Sequence, residues 1–426
     1  MKKLKVILIG AGNRGKGYTK TMLDMPDKYE VVAVAEPNES FREFIRERHA
    51  ILPEMCFESW EPLLQLGKIA DLAMITTMDR DHYAPTMAAI AQKYDILLEK
   101  PVSTVPEECR RIALAARENG VRIVVCHVLR FTRLFQCLKQ LVDSGRVGRI
   151  ISVNHEECVG NVHQSHSFVR GNWGNSTRSS CMLLQKSCHD TDILRWLIGK
   201  PCIKVQSFGN LTYFKEENAP AGAPEYCIDG CPEGDHCPYN AVKLYLEDKG
   251  SDWRVTATRV ENPSDELVAQ ALHTNQFGKC IFHCDNDVVD HQTVNMLFEG
   301  NVTATFTMSA FTKGGRATHI MGTKGEIHAD ENNKLVEFFD LETRKTEFID
   351  PNAEGELSGG HNGGDEGIIE TLYDYLCGTY TGSAISTIEE SCEGHLMVFA
   401  AEESRRTDSV VDFREYVKSL EPAGPV

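Results

Sequence analysis

The stretch KVILIGAGNRG, Lys5–Gly15, decides the fold of the first part of the chain. Its first five residues are typical of a buried strand, and a G-x-G-x-x-G turn and a helical pattern follow. The first glycine permits a tight turn, the second lets the backbone approach a pyrophosphate, and the third lets the helix pack closely on the strand. The sequence therefore predicts that a dinucleotide binds at the N-terminus of this helix, on Gly10, Gly12, Asn13, Arg14 and Gly15.

The second predicted strand, EVVAVAEP, ends at an acidic residue. Glu36 stands where a carboxylate can accept hydrogen bonds from the ribose hydroxyls of NAD, and it would repel the 2′-phosphate of NADP. Arg42 follows closely enough to leave NADP possible as the cofactor. The alternative is a glycine turn in an α/β domain that binds no cofactor.

Strands and helices continue to alternate up to residue 128. DLAMITT, DILLEKP and RIVVCHV read as buried strands with helical patterns between them, which predicts a parallel, doubly wound Rossmann sheet over residues 1–128. Ligands of such sheets bind at the carboxyl ends of the strands. The side chains expected at those ends are Thr76, Thr77, Glu99, Lys100 and His127.

Further motifs stand beside the glycine turn and the acidic end of the second strand. They are TTMDRDH (Thr76–His82), EKP (Glu99–Pro101), CHDTDILRWLIG (Cys188–Gly199), IMGTKGEI (Ile320–Ile327) and GGHNGGD (Gly359–Asp365). Together they resemble the glucose–fructose oxidoreductase/inositol dehydrogenase/MocA family, and the matches span nearly the whole chain. EKP is the most specific of them.

The resemblance implies NAD(P)-dependent oxidation of a secondary hydroxyl on a sugar, sugar derivative or cyclitol. His82 would join the cofactor-binding residues. Lys100 and His189 would be catalytic, with His189 as the base. His127, Asp192 and His361 would contact the substrate.

One position departs from the family pattern. The family often has an aspartate four residues before its catalytic histidine, and here that position holds Gln185, next to Lys186. A simple catalytic set of lysine, aspartate and histidine is therefore not expected, and proton abstraction would fall to His189.

The resemblance also implies an α+β domain, residues 129–426, with a large open, mainly antiparallel sheet that commonly serves as a homodimer or homotetramer interface. The residues themselves agree, because alternating apolar positions from about Gly148 onward predict antiparallel strands. The segment His291–Phe311 reads as two strands joined by a Glu-Gly-Asn turn. Amphipathic helices are expected near the C-terminus.

The stretch HSFVRGNWGNSTRSS, residues 166–180, reads as a loop rich in sugar-binding side chains. An indole suits the apolar face of a sugar, and charged groups suit its hydroxyls, so His166, Arg170 and Trp173 are predicted to contact the substrate. A surface loop with one packed tryptophan is the alternative.

A cysteine-rich insertion is expected at about residues 215–265. Cys227, Cys231 and Cys237 fall within eleven residues, which suggests a metal site, although their spacing is not the tight C-x-x-C of zinc knuckles. Free thiols or an occasional disulfide are the alternative.

Composition narrows the possible partners. The formal net charge of -17 argues against a nucleic-acid partner. No apolar run is long enough to span a bilayer, and the short apolar run after Met1 has no cleavage site, so a cytoplasmic enzyme is expected.

Two other functions stay open at this stage. The first is an NAD-dependent glycosidase that oxidises C3 of a sugar, eliminates the aglycone, adds water and reduces the ketone again, without the paired carboxylates of ordinary glycosidases. The second is a non-enzymatic regulator or assembly subunit, which the presence of both Lys100 and His189 disfavours.

Overall fold

A parallel sheet of six strands occupies the first part of the chain in this computed structural model, which describes residues 2–353, 355 and 360–420. The strand order is β3-β2-β1-β4-β5-β6. The strands are β1 Leu4–Ile9, β2 Tyr29–Ala35, β3 Cys56–Phe57, β4 Leu72–Ile75, β5 Asp95–Leu98 and β6 Ile123–Val125. The helices between them are α1 Asn13–Leu23, α2 Glu39–Arg48, α3 Trp60–Gln65, α4 Tyr83–Ala91 and α5 Pro106–Asn119.

This sheet confirms the predicted Rossmann fold. The strand order reverses between β1 and β4, and such a switch point opens the crevice in which dinucleotides bind. Every residue of β4 and β6 is buried, as expected for strands that are covered on both faces. The sequence pattern gave five strands and missed β3, because two residues carry no periodicity.

A second sheet of nine strands follows in the described part of the chain. Its order is β14-β13-β12-β11-β7-β10-β9-β8-β15, and only the pairing of β7 with β10 is parallel there. The strands are β7 Ile150–Cys158, β8 Cys202–Asn210, β9 His291–Phe298, β10 Val302–Ser309, β11 Gly315–Gly322, β12 Gly325–Asp330, β13 Val336–Asp340, β14 Lys345–Ile349 and β15 Val411–Asp412. The predicted mainly antiparallel sheet is therefore confirmed.

The predicted hairpin joins β9 and β10. Phe298 pairs with Val302, so three residues connect the strands, and two of them, Gly300 (φ +80°) and Asn301 (φ +62°), adopt the left-handed conformation. Residues of β9 alternate between buried and exposed, so one face of this sheet packs on the core.

One helix, α8, is packed against the nine-stranded sheet. The remaining helices are α6 Arg133–Asp143, α7 Asn161–Gln164, α8 Met182–Ile198, α9 Trp253–Thr258, α10 Asp265–Thr274, α11 Gly364–Cys377, α12 Ile388–Thr407 and α13 Phe413–Ser419. Almost every residue of α8 is buried, and it packs against α12 and strands β7 and β10. A helix that is buried all round holds its polar side chains at fixed positions in the interior.

The region around the cysteine-rich insertion has hydrophobic clusters separate from the main core. One contains Val169, Phe214 and Phe282, and the other contains Tyr245 and Leu272. The predicted loop at residues 166–180 is wrong at its start, because residues Ser165–Arg170 form a wide helical turn whose six residues are all buried. Among the described residues, no helix is both long enough and apolar enough to cross a membrane.

Candidate functional site

The glycines after β1 shape a cradle for a pyrophosphate. Gly10 has φ +93°, and a Cβ there would lie 2.6 Å from the carbonyl oxygen of Thr76. A Cβ on Gly15 would lie 2.3 Å from the carbonyl oxygen of Gly10, whereas a Cβ on Gly12 would meet nothing within 4 Å. The first and third glycines are therefore required by packing, and the second faces open space where a phosphate can approach. These residues fit NAD.

The carboxylate of Glu36 is held at the edge of this cradle. It accepts hydrogen bonds from the backbone N–H of Ala11 at 2.6 Å and of Asn38 at 2.8 Å. Arg42 donates to the carbonyl oxygen of Glu36 at 2.6 Å and lies 3.8 Å from Glu58, so its charge is partly engaged. The acidic group therefore lies at the position that selects for NAD.

The end of β4 is locked to the turns around it. Thr76 Oγ1 donates to the carbonyl oxygen of Gly10 at 2.6 Å. The ring of His82 is buried and bridges the carbonyl oxygens of Pro101, at 2.6 Å, and Thr77, at 3.1 Å. His82 thus positions the turn that follows Lys100.

Arg14 connects the Rossmann helix α1 to helix α11. Its Nε lies 2.7 Å from Glu99, and its two terminal nitrogens lie 2.7 and 2.8 Å from the carboxylate of Asp365. Burial alone would raise the pKa of the Asp365 carboxyl, but His361 and Arg14 hold it well below its usual range. Tyr18 also donates to Glu99 at 2.8 Å, so both carboxylates are ionised anchors of one network.

Lys100 points at helix α8 of the second domain. Its Nζ donates to the backbone oxygen of Gln185 at 2.7 Å and to the side-chain oxygen of the same residue at 3.0 Å. The amide nitrogen of Gln185 in turn donates to Asp79, which also accepts a 2.7 Å hydrogen bond from Ser179. A different carboxylate, that of Asp79 in the Rossmann domain, therefore lies beyond Gln185, which stands between it and the lysine.

His189 lies one turn after Gln185 on α8. Burial first, and then the positive charge of Lys100, lower the pKa of His189 well below its usual value. Its Nδ1 is buried and has no hydrogen-bond partner among the described residues. The ring of His361 lies 6.1 Å from that of His189, and His361 Nδ1 lies 3.0 Å from Asp365. The structure therefore brings together Lys100, His189 and His361.

His127 lies behind His189. Its ring is 5.5 Å from the ring of His189 on one side and 5.5 Å from that of His395 on the other. Only 1% of His127 is exposed, and burial lowers its pKa well below the usual value. His127 is therefore placed to support His189 rather than to face an open site.

Asp192 is placed away from any opening as well. Its two carboxylate oxygens each lie 2.7 Å from the guanidinium of Arg130, and Ser386 donates to one of them at 3.2 Å. Both charged groups are 1% exposed. The contacts of Asp192 are those of a buried ion pair.

A second buried network under α8 has no local motif in the sequence. Asp190 accepts hydrogen bonds from Arg316 at 2.7 Å and from His155 at 3.0 Å. Arg316 also pairs with Glu157, and Lys186 Nζ lies 3.5 Å from Glu157.

Lys186 is the functional candidate that sequence reasoning left out. Burial lowers the pKa of Lys186, and the charge of Lys186 contributes to lowering the pKa of His361 after burial, the largest cause. Its position next to Gln185 in the sequence could have identified Lys186 as a candidate. Its neighbours Glu157 and Arg316 could not have been identified in this way, because they lie on separate strands.

The predicted substrate residues at 166–173 lie among residues of the insertion. His166 stacks on Trp253 with ring centroids 4.3 Å apart, and its Nδ1 lies 2.7 Å from the hydroxyl of Tyr245. Arg170 is 2% exposed and donates to the carbonyl oxygens of Lys279 and Tyr239, both at 2.7 Å. The structure does not bring these two side chains to Lys100.

Trp173 packs in the same region. Its ring centroid lies 6.1 Å from that of Phe168, and its indole nitrogen is buried without a hydrogen-bond partner in the described part of the chain. Its contacts are those of a packed tryptophan.

One segment of the insertion covers the cofactor edge of the Rossmann domain. Thr256 lies 3.5 Å from Asn13, and Glu261 forms an ion pair with Lys16. Further along, Asn38 donates to the carbonyl oxygen of Arg259 at 3.2 Å. Residues 256–261 therefore lie over the N-terminal half of α1 and the turn after β2.

A glycine cradle, a ribose-side carboxylate, and a lysine held on helix α8 of a second domain define an NAD-dependent oxidoreductase. Residues 4–127 match the family model described as oxidoreductase family, NAD-binding Rossmann fold, and residues 139–413 match that of its C-terminal alpha/beta domain. The chain belongs to the glucose–fructose oxidoreductase/inositol dehydrogenase/MocA family, as its motifs predicted.

Several proteins are similar along most or half of the chain. YteT of Bacillus subtilis (strain 168) is 24% identical over 366 residues, which cover 78% of this chain and 81% of YteT. Inositol 2-dehydrogenase of Klebsiella pneumoniae is 26% identical over 204 residues, 48% of this chain and 57% of that enzyme. A levoglucosan dehydrogenase solved with NADH and levoglucosan has a TM-score of 0.70 at 16% identity, with 97% of this chain and 100% of that chain covered.

Proposed function

We propose that the protein oxidises a secondary hydroxyl of a sugar, sugar derivative or cyclitol, with NAD as the hydride acceptor. The observation that carries this proposal is the position of Lys100. Its ammonium is fixed on Gln185, one helical turn before His189, at the crevice where NAD binds. The crevice therefore offers a cation and an imidazole to one substrate hydroxyl.

The two side chains have complementary roles in this proposal. Bound NAD supplies the hydride acceptor. His189 takes the hydroxyl proton, and the ammonium of Lys100 stabilises the negative charge that develops on the oxygen. Because burial and Lys100 keep the pKa of His189 low, its imidazole is neutral at physiological pH and has a lone pair ready for the proton.

Other residues of the site hold this pair in place. Asp79 orients the amide of Gln185, and Gln185 orients Lys100. His361, which lies beside His189 and is tied to Asp365, is the side chain we assign to substrate binding. Hydroxyl groups of a polyol suit this mixture of donors and acceptors.

The names of similar proteins support the substrate class. One relative is an inositol 2-dehydrogenase, and a structure of the same fold was solved with the anhydrosugar levoglucosan. Their identities to this chain, 26% and 16%, support a polyol in general and no particular one.

A substrate panel tests the proposal. The purified protein is incubated with NAD and with free sugars, inositols, anhydrosugars and sugar acids, and NADH is followed by its absorbance. NADH formation with a polyol that depends on Lys100 supports the proposal. Reduction of NAD by none of them, while the protein still binds NAD, would contradict it.

The redox-cycling glycosidase is the second candidate, and one observation favours it. Residues 256–261 of the insertion cover the cofactor edge through Asn13, Lys16 and Asn38. A cofactor held under such a segment is suited to a reaction that returns it to its starting state each cycle. Release of the aglycone from chromogenic glycosides with no net NADH, by protein that is purified with NAD bound, would establish this candidate in place of the first.

We also propose that the open sheet joins copies of the chain into a homodimer or homotetramer. Exposed apolar side chains lie at one end of it, among them Leu335, just before β13, and Phe348 on the edge strand β14. Light scattering on the purified protein tests this, and a monomer at micromolar concentration would contradict it. The fifteen free thiols favour a reducing, cytoplasmic location.

A further inference from the structure

Two histidines and a glutamate meet on the outer face of the nine-stranded sheet. The stretch HIMGTKGEIH, residues 319–328, forms the hairpin of β11 and β12, in which His319 pairs directly with His328. Side chains alternate between the faces of a strand, so Glu326, two residues before His328, lies on the same face. Ile320 and Ile327, which point the other way, are fully buried. The register of the hairpin therefore brings the three polar side chains together.

This face of the sheet points away from helix α8, which carries His189. Thr318 accompanies His155 on the inner face, where the two side chains lie 2.8 Å apart, and His155 contacts Asp190 of α8. Because His319 follows Thr318 in the strand, its side chain points to the opposite side. A ligand bound at His319 would therefore lie outside the crevice in which hydride transfer is proposed.

The three side chains converge on one point. Nε2 of His319 lies 3.3 Å from Oε2 of Glu326, and Nε2 of His328 lies 4.0 Å from the same oxygen. One nitrogen or oxygen atom of each side chain lies within 4.8 Å of the other two. A tetrahedral zinc ion with bonds of about 2.0–2.1 Å holds its ligand atoms about 3.3 Å apart. The observed separations are therefore close to those of a metal site.

The two imidazoles are free to turn towards one ion. Their rings are stacked with centroids 3.7 Å apart and an angle of 23° between the planes. The side chains are 26% exposed for His319 and 50% exposed for His328. Rotation about χ2, a torsion with a broad energy minimum in histidine, splays the rings and points both lone pairs at a shared position.

The surroundings of the histidines favour a cation. The floor of a groove of about 670 Å³ is a row of directly paired residues from five neighbouring strands, Asn154, His319, His328, Glu337 and Phe348. Glu156, Asp330 and Glu337 contribute carboxylates to the lining of this groove, and Lys334 contributes an ammonium. The surplus of negative charge raises the local concentration of cations.

The ligand atoms select a transition metal. Two imidazole nitrogens and one carboxylate oxygen are a ligand set of zinc sites that keep a fourth position open. Imidazole is a good ligand of zinc, whereas Mg²⁺ and Ca²⁺ are bound by oxygen atoms. The mixed set on this sheet therefore suits zinc better than either of the hard cations.

We propose that His319, Glu326 and His328 bind a zinc ion whose fourth position is open to the groove. The ion joins β11 to β12, and the carboxylate of Glu326 offsets part of its charge. The site shares no residue with the proposed catalytic pair. Its failure and that of the proposed oxidation are therefore distinguishable.

Zinc titration of the full chain tests the proposal. The protein is freed of metal with a chelator, dialysed and titrated with zinc chloride, and bound zinc is quantified. The cysteines of the insertion can bind zinc as well, so the comparison of wild type with variants is what decides. We expect wild type to bind one zinc ion more per chain than His319→Ala, His328→Ala or Glu326→Gln. Equal zinc content and affinity in wild type and these variants would overturn the proposal.

His291→Ala is the matched control and should bind zinc as wild type does. His291 is a half-exposed histidine on β9 of the same sheet, and it contacts a single carboxylate, that of Asp290. NAD binding should be unchanged in every variant, because the sites are separate.

Cobalt(II) in place of zinc identifies the ligand type even if a variant does not fold. Wild type should show the visible absorption of four-coordinate cobalt without a thiolate-to-cobalt charge-transfer band. A cobalt spectrum with that band alone would place the metal on cysteines and overturn the proposal.

Discussion

The cofactor crevice and the turn Ser165–Arg170 were both predicted to bind ligands, but their side chains have different surroundings in the structure. At the cofactor crevice, Gly10, Thr76 and Lys100 meet at neighbouring strand ends as the Rossmann pattern requires. In the turn Ser165–Arg170, the predicted substrate residues are buried against the insertion. The difference lies in the kind of signal. The first prediction rested on backbone geometry that the motif demands, and the second rested on residue types that serve packing equally well.

Replacement of the lysine at the crevice has the largest expected effect. Lys100→Met keeps the length of the side chain and removes the charge, so turnover should fall about 1,000-fold, in the range for loss of one preorganised stabilising group. Steady-state kinetics measure this with the best substrate of the panel, and NAD binding is checked by fluorescence titration. Lys20→Met, on the exposed face of α1, is the control and should retain wild-type kinetics. Near-normal turnover of Lys100→Met with NAD bound would remove the lysine from the mechanism.

The catalytic histidine is the next test of the same region. His189→Gln should lower kcat about 100-fold, the lower range for a general base, without abolishing NAD binding. The pH profile carries a separate readout. Because the pKa of His189 is well below the usual value, kcat/KM should not fall as pH drops through the ordinary histidine range near 6.5. A fall in kcat/KM below the ordinary histidine pKa, absent in His189→Gln, would contradict this prediction. It would show that His189 is hydrated in the enzyme.

The sequence predicted the crevice well because parallel strands deliver their ends to one edge whatever the intervening helices contain. It predicted less of what surrounds Lys100. Gln185 stood out as a departure from the family pattern, but its partner Asp79 is 106 residues away and belongs to a different domain. The contact of Arg316 with Asp190 likewise joins strand β11 to helix α8. Such pairs depend on tertiary packing and leave no local pattern.

Arg170 tests the second region directly. If its guanidinium serves packing, Arg170→Met should lower the free energy of unfolding by about 2 kcal/mol, because hydrogen bonds to two buried carbonyl oxygens are lost. The KM for the substrate should stay within about twofold of wild type. A twofold change corresponds to only ~0.4 kcal/mol of binding free energy, which is less than the loss of a substrate contact would cost. Urea unfolding and steady-state kinetics measure the two quantities.

The opposite outcome would support the prediction from the sequence that Arg170 contacts the substrate. A tenfold rise in KM for Arg170→Met with unchanged stability would make Arg170 a substrate ligand after all. Arg178→Met is a matched control, because Arg178 pairs with Asp285 on the exposed surface of the same region. Its stability should change by less than about 1 kcal/mol.

His166 should make the stability of the folded protein depend on pH. Burial first, and then Arg170, lower the pKa of His166 to about 3 in the folded protein, whereas an unfolded histidine titrates near 6.5. Above about pH 6.5 both states are neutral, and the stability is fully present. As the pH falls below that value, the imidazole binds a proton in the unfolded chain but not in the folded protein. The free energy of unfolding therefore decreases by about 1.4 kcal/mol per pH unit from this residue.

His166→Phe removes this pH-dependent contribution to stability and keeps an aromatic ring against Trp253. The variant should be less stable than wild type near pH 7, because the hydrogen bond with Tyr245 is lost, and its stability should decline less steeply between about pH 6 and pH 4. Urea unfolding at several pH values measures both slopes. His236→Phe, at an exposed position of the insertion, should retain the wild-type slope, because its ring meets solvent in the folded and unfolded states alike. If stability declined with pH equally steeply in wild type and in His166→Phe, His166 would be hydrated in the folded protein. A hydrated side chain is what a ligand-binding site would have, so the turn Ser165–Arg170 would then resemble the cofactor crevice more than its contacts indicate.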